Sequence, residues 1–280
     1  MSPVVFKKGV NMRLFSIRRS LSAAALFMTV LLTGCAAVQT TSSGSVGIQR
    51  QQYMSTLVSE QQLQQEAAAQ YNALISSARS QGALDTDVEQ TRRVQTISKR
   101  LIAQVGVFRP DALQWNWQVH VLNSNEVNAW CMPGGKIAVY SGLIRQLKAT
   151  DAELAAVIGH EIAHALREHA REQVSQKMAT NVGLSVLAAV TGVDAAADLG
   201  EALTDVMFTL PNSRTHEVEA DRMGVELAAR AGYDPYAVVT LWQKMGQVNG
   251  GGQPEFLSTH PSADTRIADL QSIAAQMMPL

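Results

Sequence analysis

Val157-Ile158-Gly159-His160-Glu161-Ile162-Ala163-His164-Ala165 is the stretch on which the reading of this chain turns. It lies in a run from Asp151 to about Gln173 whose spacing predicts one long helix. Thr150 stands at the N-cap, and Asp151 and Glu153 place negative charge in the first turn, as the helix dipole favours. Positions i and i+4 of a helix share a face. His160 and His164 therefore turn their rings toward one point, an arrangement that holds a single Zn²⁺. Glu161 is rotated by about 100° from His160, so it can act on a water beside the metal without ligating the ion. Val157, Ile158, Ile162 and Ala163 flank the motif, which predicts a buried helix rather than two surface histidines.

A catalytic zinc takes three protein ligands and keeps one position open. The position six beyond His164 is Ala170, so a third histidine at that spacing is absent. His169 falls nearly opposite His160 on a helical wheel and is expected to face solvent. His120, His216, His260 or a carboxylate remain. Ser213-Arg214-Thr215-His216-Glu217-Val218-Glu219-Ala220-Asp221 offers the best carboxylates. Glu217 and Asp221 are i and i+4, so one can bind the metal while the other hydrogen-bonds a ligating imidazole. Glu219 points away from that face.

Leu257-Ser258-Thr259-His260-Pro261 follows a Gly-rich loop. Pro261 biases His260 toward extended backbone. His260 is expected to approach the metal, either filling the open position at rest or stabilising the oxyanion, with Arg266 as a nearby cation. The plainer reading is that His260 and Arg266 only cap and pin the last helix.

Of 280 residues, 46% are hydrophobic and 17% charged, a globular composition. Lys plus Arg total 23 against 24 Asp plus Glu, which argues against a nucleic-acid partner. The two cysteines, Cys35 and Cys131, exclude a disulfide scaffold. Lys7, Lys8, Arg13, Arg18 and Arg19 precede an apolar run, Leu21 to Leu32, too short to span a bilayer comfortably. With Leu32-Thr33-Gly34-Cys35 these make a secretory signal, complete even if it starts at Met12. The ending resembles a bacterial lipobox, which implies cleavage before Cys35 and lipid on its thiol. Ala36, not Asp, follows it, which by resemblance to bacterial sorting rules implies the periplasmic face of the outer membrane. The expected organisation is a signal over 1–34, a flexible lipidated tether over 35–50, and a metallopeptidase domain over 51–280, with Cys131 a buried thiol.

Helical patterns run through Gln51 to Ser80, Asp85 to Val107, Leu143 to Leu147, Val182 to Val193, Ser213 to Ala231, Tyr236 to Val248 and Ser262 to Met277. Residues 174–206 join the two ligand-bearing helices and are placed to form a lid, or simply to pack the core. Trp115 to Leu122 alternates as a strand, and Ala129 to Tyr140 reads as a second strand. Pro133-Gly134-Gly135 inside it marks an edge, a bulge or a plain turn. The fold class is α+β, a mostly helical domain that resembles the zincins, with a small sheet beside the zinc helix.

The His-Glu-x-x-His, the Ser-Arg-x-x-Glu-x-Glu-Ala-Asp stretch, the Pro-Gly-Gly strand and the late Thr-His-Pro together resemble the M48 peptidase family of HtpX- and Ste-type gluzincins. The likeness runs from about Asp85 to Leu270 and is greatest to its periplasmic, lipid-anchored BepA- and LoiP-like branch. It implies Glu217 as third zinc ligand and Asp221 as its supporting residue. The chain departs from HtpX-like members in lacking long apolar spans, and from BepA-like members in lacking an evident tetratricopeptide array after Asp234.

The function expected is a zinc endopeptidase of the cell envelope, with one Zn²⁺ per chain and Glu161 as general base. It would degrade misfolded or misassembled periplasmic and outer-membrane proteins, bound as extended strands along an edge near Gly134 to Tyr140. Envelope assembly machinery is a possible partner. The alternative is a periplasmic chaperone or assembly factor whose zinc is structural.

Overall fold

A computed structural model describes residues 35–178, 195–247, 254–261 and 266–278. The chain enters through β1 (Cys35–Val38), paired antiparallel with β2 (Gln52–Ser55). Helix α1 (Glu60–Ser80) starts at a capping box: the Ser59 hydroxyl accepts from the Gln62 amide, and the Gln62 side chain accepts in return. Asp87 caps α2 (Val88–Ile102). Two short 3₁₀ turns, Val105–Val107 and Pro110–Gln114, lead into the sheet.

Strands β3 (Gln118–Leu122), β4 (Ala129–Met132) and β5 (Lys136–Tyr140) form a sheet in the order β3-β5-β4. β3 runs parallel to β5, and β4 antiparallel. Ala129 to Tyr140 is therefore two strands, because the Pro133-Gly134-Gly135 turn closes a hairpin. Gly134 and Gly135 have φ of 77° and 80°, and a Cβ on Gly135 would stand 2.6 Å from the Trp117 ring, so glycine is needed there. β5 lies in the centre of the sheet. The edge expected near Gly134 to Tyr140 is therefore not there: β3 and β4 are the outer strands, and among the described residues no further strand pairs with β4.

Helix α3 (Ser141–Gln146) precedes α4 (Asp151–Leu166), which opens on a second capping box between Thr150 and Glu153. From Glu153 to Leu166 every residue of α4 is buried. Leu154, Ile158 and Ile162 are fully enclosed, each side chain stabilising the core by roughly 1.5–3 kcal/mol. A helix this central is the platform for the site. It packs between the sheet, α2, α7 (Arg214–Arg230) and α8 (Ala237–Gln247). A second apolar cluster joins α1, the sheet and α6 (Ala195–Phe208). Short α9 (Glu255–Thr259) and α10 (Arg266–Met277) close the fold.

Two further expectations fail. The helix predicted to run to Gln173 ends at Leu166: Glu168 takes φ 52°, and a separate helix, α5, occupies residues 169–178. The stretch expected as a tether over 35–50 is packed on the domain. Val46 and Ile48 join the main core, the Ser42 amide donates to Phe108, and Glu226 accepts from the Ser45 and Val46 amides. Buried partners for these backbone amides, rather than composition, decide its order. The signal over 1–34, the helix over Val182 to Val193 and much of the suggested lid lie outside the described residues. No helix among the described residues is long and apolar enough to cross a membrane.

Candidate metal centre

Helix α4 brings His160 and His164 to its buried face, and α7, capped by Ser213, brings Glu217 against them. His260, at the end of α9, completes the group. Among the described residues these four side chains form the cluster able to hold a metal, with one donor atom from each all within 4.8 Å. His160 Nε2 stands 3.0 Å from His164 Nε2 and 3.2 Å from His260 Nδ1. Glu217 Oε1 is 3.4 Å from His164 Nε2 and 3.0 Å from His260 Nδ1. Donors held tetrahedrally at about 2.0–2.1 Å from an ion lie about 3.3–3.4 Å apart. The four distances given lie at that figure or a few tenths of an ångström below it, within a donor set that spans no more than 4.8 Å.

The surrounding hydrogen bonds settle where the ring protons sit. Asp221 Oδ1 is 3.0 Å from His160 Nδ1 and only accepts, so Nδ1 carries the proton and Nε2 presents its lone pair. Glu219 Oε2 is 3.0 Å from His169 Nε2, which makes His169 Nδ1 an acceptor. His164 Nδ1, 2.9 Å away, must then donate to it, leaving the lone pair of His164 Nε2 in the cluster. Two imidazole lone pairs turned toward each other across 3.0 Å repel, and a cation held between them relieves that repulsion. The donor set fits Zn²⁺ on this ground as well as on its chemistry, which is imidazole and carboxylate.

Glu161 is buried, and its Oε1 makes no aligned hydrogen bond, although His260 Nε2 stands 3.3 Å from it. Burial pushes its carboxyl above the ordinary range, the direction a general base working near neutrality requires. Burial would push Glu217 up too, but His260, His164 and His160 overcome it and hold this carboxyl well below the usual range. Burial also pulls the His164 imidazole well down, which keeps it neutral and able to ligate. Arg266 grips Asp221 through Nε and Nη2, each at 2.7 Å, places Nη1 2.9 Å from Glu217 Oε2, and stacks over the Trp242 ring. Its donors are committed to the carboxylates that support the site and it is not among the cleft walls, so the oxyanion role expected for it does not fit. Asp221 lies behind His160, its Oδ1 3.0 Å from the ring Nδ1.

The cluster floors a cleft of about 430 Å³. Glu161, His164 and His260 reach it, and Trp130, Tyr140 and Phe208 form part of its apolar wall. Ala129, Trp130 and Cys131 of β4 line it, so one outer strand of the sheet borders the metal position.

His169 corrects the wheel argument. It is buried, not solvent-facing, because the break at Arg167–Glu168 turns the chain and folds its ring back against His164. A non-glycine residue at positive φ leaves no mark in the sequence. Glu219 does point away from the metal, but into a buried network with His169, Arg167 and Arg50. Of the other histidines, His120 pairs with Asp85 and His216 with Glu172, neither in the cluster.

Comparison with known proteins agrees with this geometry. Residues 88–274 match the model of peptidase family M48. The chain is 40% identical over 151 residues to mitochondrial metalloendopeptidase OMA1 of Arabidopsis thaliana, covering 54% of this chain and 30% of that protein. It is 36% identical over 183 residues to the OMA1 of Schizosaccharomyces pombe, covering 65% and 52%. It is 29% identical over 216 residues to the beta-barrel assembly-enhancing protease of Escherichia coli, covering 74% and 43%. The chain thus spans about half or less of the length of these relatives. The matched residues form a metallopeptidase domain, and the chain belongs to peptidase family M48.

Proposed function

We propose that this protein is a zinc endopeptidase of the bacterial envelope, acting on unfolded or misassembled proteins. The observation that carries the reading is the convergence of His160, His164, Glu217 and His260 beside a buried Glu161, whose Oε1 accepts no hydrogen bond, at the floor of a strand-bordered cleft. His160, His164 and Glu217 are the proposed permanent ligands. When bound, zinc supplies Lewis acidity that polarises a peptide carbonyl and acidifies a water. Glu161 takes the proton from that water and returns it to the leaving amine. Asp221 and Arg266 hold His160 and Glu217 in place.

An extended substrate fits the outer edge of β4, where main-chain hydrogen bonds grip it without reading its side chains. Apolar walls at Trp130 and Phe208 suit the hydrophobic segments that unfolded proteins expose. Envelope placement rests on the basic and apolar leader and on Leu32-Thr33-Gly34-Cys35, with lipid on Cys35 as the anchor at the periplasmic face of the outer membrane. The relative named for beta-barrel assembly supports a role in quality control there, and the mitochondrial relatives share the peptidase domain.

One observation favours a second reading. With His260 the donors number four, the count that closes a structural zinc site. In that case the protein is a chaperone or assembly factor. Cleavage of casein by the zinc-loaded protein, abolished in Glu161→Gln with zinc retained, supports the peptidase. No cleavage by the zinc-loaded wild type, or full cleavage by Glu161→Gln, overturns it.

A further inference from the structure

Behind His164 lies a buried chain of charged groups that the peptidase reading does not use. His164 Nδ1 meets His169 Nδ1 at 2.9 Å, and His169 Nε2 meets Glu219 Oε2 at 3.0 Å. Two guanidinium groups hold Glu219. Arg167, wholly enclosed, reaches it from Nε at 3.2 Å and Nη2 at 3.1 Å. Arg50 reaches it from Nε at 2.8 Å and Nη2 at 3.0 Å, and grips Glu172 with Nη1 at 2.7 Å and Nη2 at 2.9 Å. Glu172 in turn accepts from the Gln52 side chain and lies 3.2 Å from His216, whose ring stacks on His169. Arg50 and Gln52 belong to the N-terminal segment, which lies ahead of the family-matched residues 88–274.

We infer that Arg50 is a positioning residue for the metal centre, and that through Glu219 and His169 the N-terminal segment 40–52 sets the ring of His164 for ligation. The argument rests on the metal-centre reading above. A neutral imidazole carries its proton on either nitrogen, and only the Nδ1–H form of His164 offers Nε2 to an ion. His169 selects that form only while its own Nδ1 is an acceptor, which requires Nε2–H to be held by a fixed Glu219 carboxylate. Two bidentate arginines fix that carboxylate in plane. Arg167 is itself tied to the segment, donating to the Arg50 carbonyl at 3.0 Å and to the Thr41 hydroxyl at 3.2 Å. The docking of residues 40–52 and the affinity for zinc are then linked, and the coupling runs in both directions. The segment that leaves Cys35 is thereby part of the site rather than a leash.

The test uses the full chain in detergent micelles, with zinc affinity read by competition against a chelating dye. Glu219→Gln is expected to weaken zinc by about 10–100-fold, as loss of an outer partner does elsewhere, and Arg50→Gln by a smaller factor in the same direction. Histidine-labelled ¹⁵N spectra of the zinc-free protein are expected to show His164 shifting toward the Nε2–H tautomer in both variants, a signature that a purely structural role would not produce. Hydrogen exchange is expected to show zinc raising protection of the Ser42 amide in wild type but not in Arg50→Gln. Where Arg50→Gln fails to fold, Arg50→Lys keeps the charge without the double grip and is expected to lose affinity by a smaller factor still. Wild-type zinc affinity and tautomer balance in folded Glu219→Gln, and in either Arg50 variant, overturn the inference. Failure of the wild type itself to bind zinc overturns the metal reading instead, so the two are distinguishable.

Discussion

Gly159 and Gly224 face each other where α4 crosses α7, one residue from the first metal-cluster histidine. A Cβ on Gly224 would stand 2.7 Å from the His160 amide nitrogen, and a Cβ on Gly159 would stand 2.9 Å from the Gly224 carbonyl oxygen. Both obstacles are backbone, so neither can swing aside. The pair leaves room for the backbones of the two helices that carry His160, His164 and Glu217 to approach closely here. Gly224→Ala is expected to separate them, destabilising the fold by about 1–3 kcal/mol and weakening zinc by at least tenfold. Thermal melts with and without zinc check this. A variant whose melts and zinc affinity equal those of the wild type counts against the helix-spacing argument.

The ligand assignment separates metal loss from catalytic loss. His160→Ala, His164→Ala and Glu217→Ala are expected to lose bound zinc. Glu161→Gln is expected to keep it while kcat falls by roughly 10²–10⁴-fold. Metal analysis of the purified variants beside single-turnover rates tests the split, and zinc retained by Glu217→Ala would remove it from the ligand set.

His260 Nδ1 sits at a donor position, within 3.2 Å of His160 Nε2. The geometry favours the resting-state role, in which His260 fills the position that a catalytic water needs. His260→Ala is expected to retain zinc and to raise proteolysis, including self-cleavage. A fall in kcat with zinc still bound would assign His260 to the oxyanion instead.

Glu153 gives a pH dependence away from the metal. Burial would raise its carboxyl, but the Lys244 ammonium at 2.7 Å, the Thr150 amide and the Thr240 hydroxyl outweigh it and hold the group below the ordinary 4.5. A depressed carboxyl contributes stability that is present above the unfolded value and lost as pH falls through the folded one. Unfolding free energies of the wild type from urea titrations should therefore decline more steeply below about pH 4.5 than those of Glu153→Gln. Parallel curves would show that this carboxyl does not contribute.

Cys35→Ser is expected to abolish palmitate labelling and membrane retention, since Leu32 to Cys35 is the lipidation signal read in the chain. Equal labelling of variant and wild type would place the anchor elsewhere.

Local periodicity made much of this protein readable from its sequence. An i, i+4 pair on a capped, apolar helix puts His160 and His164 on one face whatever surrounds them, and the same spacing pairs Glu217 with Asp221. Turn chemistry at Pro133-Gly134-Gly135 likewise announced itself, though as an edge or bulge as readily as a plain turn, and not as the hairpin it closes. The rest depended on contacts between residues far apart in the chain. His169 left its helical phase because Glu168 adopts φ 52° where Arg109 and Arg171 hold its carboxylate. Residues 40–50 look like a tether by composition, yet they are ordered by Glu226, Glu172 and Glu219, which pair with them from beyond residue 170. Which strand is the edge followed from the parallel pairing of β3 with β5, a long-range choice that alternation does not encode. Helical phase is a property of neighbouring residues and survives in the sequence. The partners of a buried charge are set by packing, and only the tertiary structure decides them.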